Sequence, residues 1–175
     1  MTFEIRAATR ADADGITDVQ VASWRAGYAH VFPDEVLYAD DFDSSRRTFW
    51  NGWRFAAGHR IAVAVDTDDG LVAGFSSYGP ERERARGFTG RAEVWAFYLH
   101  PDAWGSGLAD ELMQYTEERL RAEGFDIAVL WVLDDNPRGR SFYEKHGWAL
   151  SGITAAFDDY CDVPVPEVEY RKELA

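Results

Sequence analysis

Cysteine is nearly absent from this sequence of 175 residues, in which Cys161 stands alone. A single cysteine excludes an internal disulfide framework. It lies in an acidic stretch with no basic neighbour that would activate the thiol, so we expect a structural rather than a nucleophilic role. The four histidines are scattered and lack the spacing of metal ligands. We therefore expect a protein of the reducing cytoplasm that binds no metal.

Positive charge and long apolar stretches are also scarce. Lysine and arginine number 18 against 31 acidic residues, which gives a formal net charge of -13. Such a charge opposes approach to a nucleic acid or an anionic membrane surface, and no apolar stretch is long enough for a signal peptide or a membrane span. We expect neither nucleic acid nor a membrane as a partner. The acidic surface would attract cationic amines, although such a surface most often only keeps a protein soluble.

Core-forming residues, in contrast, are plentiful. Hydrophobic residues make up 46% of the chain and aromatic residues 15%, including seven tryptophans. This amount of apolar material in a chain of this length fits one domain with a substantial core. We see no internal repeat, low-complexity tract or linker, so residues 1–175 are predicted to form a single domain, as a monomer or homodimer.

The first half of the chain alternates between strand and helix patterns. Period-two apolar spacing indicates strands, and spacing of three and four indicates helices. One pair of strand patterns is separated by an Asp68-Asp69-Gly70 turn, which predicts a hairpin. In chain order, the patterns predict a strand at 3–7, a helix from Thr9 to Tyr28, a helical turn at 34–38, a helix at 44–57, a hairpin at 61–78 and a charged, solvated loop at 80–91.

The second half contains two unbroken apolar runs, Val94 to Leu99 and Ile127 to Leu133. Runs of this kind are typical of strands buried on both faces in the middle of a sheet. An amphipathic helix ending near Gly124 separates them, and Asn136 before a proline predicts the N-cap of a short helix. Two further strands are expected around 148–153 and 168–172. These patterns predict a mixed sheet flanked by helices.

The segment from Glu93 to Leu112 joins a buried strand, a glycine turn and a helix. The first amides of a helix have no partner within the helix, and the helix dipole adds positive charge there, so such a turn can bind a pyrophosphate. Glycines before a helix often only turn the chain, which leaves the motif weak by itself. The residues after Gly107 exclude a Walker motif. A Rossmann motif would need a third glycine and an earlier place in the chain.

In this segment and a second one the chain resembles the GCN5-related N-acetyltransferase (GNAT) superfamily. The family pattern is a strand ending in aliphatic-x-Pro, then Gln/Arg-x-x-Gly-x-Gly/Ala and a helix, which Pro101, Gly107 and Ala109 match. The second block runs from Leu130 to Trp148 and is similar to the family's strand, asparagine, short helix and Phe-Tyr-x-x-x-Gly-aromatic ending. Trp104 departs from the pattern, because it stands where the family has Gln or Arg.

The resemblance implies an α/β (α+β) acyl-CoA N-acyltransferase fold with a mixed, mostly antiparallel sheet of about six to seven strands. It implies an N-acetyltransferase that passes the acetyl group of acetyl-CoA to a primary amine of a small molecule or peptide, by direct attack in a ternary complex and without metal. Glu93 would be the general base, often through water, and Tyr143 the general acid. Cosubstrate binding would involve Phe97, Tyr98, Leu99, Trp104, Gly105, Ser106, Gly107, Leu108, Ala109 and Asn136.

Each role has a simpler alternative. Glu93 could be a solvated acid at a strand end, Tyr143 could only pack in the core, and Asn136 could serve only as an N-cap. Aromatic residues of the first helices are candidates for the acceptor pocket, where aromatic walls beside acids would suit a cationic amine, although most aromatic stripes are core. Trp104 motivates a different class of function, a catalytically silent CoA-binding or sensor domain on the same fold. The acceptor candidates are Trp24 and Tyr28, with Trp50, Trp53 and the 80–91 loop in range.

Overall fold

A computed structural model describes residues 2–53, 60–82, 90–157 and 164–174. The strands and helices follow the predicted order, with short 3-10 turns before the first and fourth helices. The strands are β1 Phe3–Ala7, β2 Arg60–Asp66, β3 Val72–Pro80, β4 Ala92–Leu99, β5 Ile127–Leu133, β6 Ala149–Phe157 and β7 Val165–Glu173. The helices are α1 Ala13–Gly27, α2 Asp34–Leu37, α3 Phe42–Gly52, α4 Leu108–Ala122 and α5 Pro137–Lys145.

The seven strands form one sheet in the order β1-β2-β3-β4-β5-β7-β6. Every neighbouring pair is antiparallel except β4 and β5, which are parallel. Residues of α4 and α5 pack on one face of this sheet, and residues of α1 and α3 pack on the other. The prediction of a mixed, mostly antiparallel sheet flanked by helices is confirmed.

The two central strands separate after a short contact. β4 and β5 pair only where residues 92–94 face 128–130, although each strand continues for several residues beyond this point. A β-bulge lies at the same level, because Ser77 faces Ala96 while Tyr78 faces Val94, which leaves Trp95 as the extra residue. Bulges bend a strand and increase its twist. β4 therefore turns away from β5 and opens a gap in the middle of the sheet.

Several predicted boundaries were wrong, including those of α3 and of the 80–91 loop. The helix expected at 44–57 begins at Phe42 and ends at Gly52, because Trp53 has extended backbone angles (φ -57°, ψ 120°); residues 54–57 lie outside the described residues. Pro80, expected in the loop, ends β3 opposite Ala92, a strand-end position where its missing N–H is tolerated. Of the predicted 80–91 loop, residues 83–89 are outside the described part.

In the described ranges, no helix combines the length and the apolar character needed to span a bilayer.

Candidate active site

A cavity of about 1270 Å³ lies where β4 and β5 separate, and it extends to both faces of the sheet. One end is formed by the glycine turn before α4 and by α5, and the other by α1 and α3. All but two of the site residues predicted from the sequence contribute to its wall; the exceptions are Ser106 and Leu108. Those that line it are Trp24, Tyr28, Glu93, Phe97, Tyr98, Leu99, Trp104, Gly105, Gly107, Ala109, Asn136 and Tyr143.

The glycine turn has the geometry of an anion site. Gly105 and Gly107 have φ angles of 79° and 90°, a left-handed conformation that costs any other residue strain. Ser106 holds the turn, since its hydroxyl donates to the Ala103 carbonyl at 2.7 Å and accepts from the Leu108 amide. Leu108 is a core residue. The open turn and the start of a 15-residue helix fit the pyrophosphate of a CoA cosubstrate.

Trp104 packs beside this turn without offering a donor to it. Its indole Nε1 donates to the Leu99 carbonyl at 3.1 Å. The Arg138 guanidinium lies over the ring, 3.9 Å from the centroid. Arg138 also lines the cavity, and sequence analysis missed it. Its place directly after the Asn136-Pro137 helix start was the available signal.

Glu93 is not a solvated strand-end acid, because its side chain is 0% exposed. Both carboxylate oxygens accept hydrogen bonds from Arg82: Oε2 from the backbone amide at 2.8 Å, and Oε1 from guanidinium Nη2 at 2.6 Å. The Arg82 side chain is about half exposed and lies over the Trp95 ring. The carboxylate is therefore held in one position on the cavity wall by a residue that reaches the solvent.

Tyr143 is 9% exposed, and its ring packs against Phe142 and Trp148. Burial raises the pKa of its hydroxyl above the usual value, and the nearby Tyr98 hydroxyl adds to the effect. Phe142 stacks on Phe97 of β4 with ring centroids 5.7 Å apart. Phe142 thus supports the strand, while the Tyr143 hydroxyl is kept protonated at the cavity.

Three tyrosine hydroxyls and one carboxylate influence one another at the cavity. Burial, and then the neighbouring hydroxyls of Tyr98 and Tyr143, raise the pKa of Tyr28; a hydrogen bond with Tyr98 and the charge of Glu167 contribute further. Glu167 is 6% exposed and faces Leu133 at the end of β5. Sequence analysis missed Glu167, because β7 carries three glutamates and the sequence gives no sign of which are buried. It also considered only the backbone of Tyr98.

The aromatic residues of α1 and α3 divide between core and wall. Trp24 is 4% exposed and stacks on Phe32, so it is mainly core despite reaching the cavity. Trp50 donates its Nε1 to Gln20 at 2.8 Å. Trp53 lies against Trp95 of the bulge. Trp24, Trp50, Trp53 and Trp95 all line the cavity, so the wall at this end is strongly aromatic.

Asn136 is the N-cap of α5, as predicted. Its side-chain Oδ1 accepts a hydrogen bond from the Gly139 amide at 2.9 Å, and Pro137 follows in the first turn. A role of Asn136 toward the cosubstrate stays a prediction. Cys161 lies outside the described residues. The described part of the chain contains no cluster of three or more His, Cys, Asp or Glu side chains that could bind a metal ion.

Comparison with known proteins agrees with this geometry. Residues 19–148 match the model of the acetyltransferase (GNAT) family. The chain is 31% identical over 133 residues to the N-acetyltransferase YuaI of Bacillus subtilis, covering 76% of this chain and 73% of that protein. It is 34% identical over 110 residues to a Pseudomonas aeruginosa L-methionine sulfoximine/L-methionine sulfone acetyltransferase, covering 63% of this chain and 62% of that protein.

A solved structure has the same fold. The structure of YncA from Salmonella typhimurium with acetyl-CoA superimposes with a TM-score of 0.70 at 19% identity, covering 100% of this chain and 95% of that one. The fold, the family match and the YuaI relationship agree with the residues that carried the sequence resemblance. The chain therefore belongs to the acetyltransferase (GNAT) family and is an N-acetyltransferase that uses acetyl-CoA as its acetyl donor.

Proposed function

We propose that the acceptor is the α-amino group of a free amino acid or a close analogue. The observation that carries this proposal is the charge of the acceptor end of the cavity. Carboxylates of Glu93 and Glu167 and guanidinium groups of Arg46 and Arg82 line it together with aromatic rings. A wall with both signs of charge suits a zwitterion, whereas a polyamine would need carboxylates alone.

The local charges therefore point away from the cationic amine that the net charge of -13 suggested. Arg46 is 3% exposed, with its guanidinium against the Phe42 ring, while Arg82 reaches the solvent. The amino-acid proposal draws further support from the Pseudomonas aeruginosa relative, whose substrates, L-methionine sulfoximine and L-methionine sulfone, are amino-acid analogues. The arginines would pair with the acceptor carboxylate, and the carboxylates would attract its ammonium group.

The proposed chemistry uses Glu93 to remove the proton of the acceptor ammonium and Tyr143 to protonate the leaving sulfur. A water molecule held by Glu93 accepts the proton from the acceptor ammonium, and the neutral nitrogen attacks the acetyl carbonyl. The backbone of Phe97 to Leu99, for which the described strands provide no partner on the β5 side, pairs with the amides of the pantetheine arm. As the C–S bond breaks and the N–C bond remains, the Tyr143 hydroxyl donates its proton to the leaving sulfur. The second proton that the nitrogen then loses restores the Tyr143 hydroxyl, so one proton in all is released to the solvent through Glu93 and its water.

The catalytically silent alternative has no observation in its favour. Trp104, which motivated it, leaves the glycine turn open and packs on Leu99. We also propose that residues 1–175 act as one domain, since strands from β1 to β7 share one sheet. A cytoplasmic location and a monomeric or homodimeric state remain proposals from the sequence.

The test compares L-methionine sulfone with its carboxamide, which keeps the amine but lacks the carboxylate, and with spermidine. We expect kcat/KM for thiol release to be at least about tenfold higher with the acid than with the carboxamide. Substitution Arg82→Gln should lower the ratio of the two kcat/KM values. Any loss of activity through Glu93 affects both substrates equally and therefore does not change this ratio. Equal rates for acid and carboxamide, or a preference for spermidine, would contradict the proposal.

A further inference from the structure

Trp104 stands where the family motif has glutamine or arginine, and its contacts show what replaces that polar side chain. The Nε1 bond to Leu99 fixes the ring at the end of β4 and leaves it no donor for a phosphate. The ring face carries the Arg138 guanidinium at 3.9 Å. Tryptophan offers a cation the best aromatic face. A guanidinium is thus held next to the Gly105 turn by a residue of that turn.

Arg138 also differs from the other solvent-accessible cations of the cavity wall in its charge partners. Lys145 pairs with Asp110 at 3.2 Å. Arg82 pairs with Glu93 at 2.6 Å. Arg138 forms no ion pair with any residue in the described ranges, in a chain with 31 acidic residues. Its positive charge is therefore not cancelled by a neighbouring carboxylate.

The position of Arg138 in its helix is unfavourable for a cation. It follows Pro137 in the first turn of α5, where the positive end of the helix dipole disfavours positive charge. The start of α4 faces the same cavity and is likewise the positive end of a helix dipole. Two helix N-termini and an unpaired guanidinium together favour an anion between them.

We propose that Trp104 and Arg138 act as one unit in binding the pyrophosphate of acetyl-CoA. Trp104 positions the guanidinium, and Arg138 pairs with a phosphate oxygen beside the Gly105–Gly107 turn. The pair takes over the task of the polar residue that the family motif has at position 104. This pairing concerns the cosubstrate end of the cavity and does not depend on which amine is the acceptor.

Titration calorimetry with acetyl-CoA, in the absence of any acceptor, tests the pairing without a catalytic readout. Arg138→Ala should weaken binding about tenfold, the size expected for a lost charge-assisted hydrogen bond, and should reduce the dependence of affinity on salt. The same substitution should weaken the binding of dephospho-CoA, which lacks the 3′-phosphate, by the same factor. The control is Arg119→Ala, which removes a guanidinium stacked on Tyr115 of α4 outside the cavity and should leave affinity unchanged.

The positioning role of Trp104 is tested by non-additivity. Trp104→Ala should weaken binding about as much as Arg138→Ala, and the double variant should be no weaker than either, because both remove the same contact. Trp104→Phe keeps a ring face and should retain most of the affinity. Trp104→Arg in the Arg138→Ala background restores a cation at the family's position and should recover binding. Melting temperatures of the variants identify any loss that comes from folding.

Two results would overturn the inference. Additive losses in the double variant would mean that Trp104 and Arg138 act independently. A loss for acetyl-CoA but not for dephospho-CoA would place the guanidinium at the 3′-phosphate instead of the pyrophosphate.

Discussion

Replacing Tyr143 with phenylalanine removes one hydroxyl and leaves the packing of the ring in place. The contacts with Phe142 and Trp148 involve only the ring. The hydroxyl forms no hydrogen bond with another residue in the described ranges, so the free energy of unfolding should fall by less than about 1 kcal/mol. Because folding is nearly unaffected, a large decrease in the reaction rate must come from the lost proton donation to the sulfur.

The rate effect follows from the leaving group. General acid catalysis contributes about 10²–10⁴-fold, or about 3–5 kcal/mol of barrier. The cavity is open to water, which can protonate a thiolate more slowly, so we expect the low end of this range, about 100-fold. Because burial raises the pKa of Tyr143, the hydroxyl keeps its proton throughout the neutral range, and its ionisation should cause no loss of activity below about pH 10.

The assay is single-turnover release of free thiol with saturating acetyl-CoA, so that product release does not mask the chemical step. The dissociation constant for acetyl-CoA should stay within about twofold. The matched control is Tyr78→Phe, because Tyr78 is also buried, at 3% exposure, but lies in β3 outside the cavity wall. An unchanged single-turnover rate in the Tyr143 variant, with normal acetyl-CoA binding, would refute the general-acid role.

Three further predictions concern other parts of the molecule. Glu93→Gln should lower kcat/KM about 100-fold, whereas Glu167→Gln should retain most of the activity; the opposite pattern would make Glu167 the base. The hydrogen bond from the Arg6 guanidinium lowers the pKa of Asp12 to about 2. The contribution of the Asp12 carboxylate to stability is therefore present above about pH 4 and lost as the pH falls toward 2. Urea unfolding should show that Asp12→Asn costs about 1.5 kcal/mol at pH 7, after discounting for exposure of the ion pair, and less at pH 3; a constant cost would contradict this. Gly107→Ala strains a φ of 90° and places a methyl group in open space, so it should weaken acetyl-CoA binding in calorimetry, while Gly70→Ala, with similar strain in the hairpin turn, should not.

The parts of the fold that sequence patterns predicted well are those with strong local signals. Ile127–Leu133 has the bounds of its apolar run, because a strand buried on both faces excludes polar residues along its whole length. The N-cap at Asn136 also follows from residues next to each other in the chain. Boundaries that depend on tertiary contacts, such as the early end of α3 at Gly52, were less accurate.

The site itself depends on contacts between distant parts of the chain. Burial of Glu93 was not predictable, since its partner Arg82 lies across a loop, and charged residues at strand ends are usually solvated. The Trp104–Arg138 stack joins the turn before α4 to the start of α5. Neither local pattern reveals the other. The sequence resemblance located the cosubstrate end, while the mixed charge of the acceptor end became visible only in three dimensions.

The central claim, acetyl transfer to an amino-acid amine, is tested most directly by incubating the protein with acetyl-CoA and L-methionine sulfone. Free thiol is followed continuously, and the products are identified by mass spectrometry. We expect thiol and N-acetylated amino acid in equal amounts, with no acetyl group left on the protein. Binding of acetyl-CoA without thiol release, on this substrate and on a panel of amino acids, polyamines and short peptides, would contradict the claim.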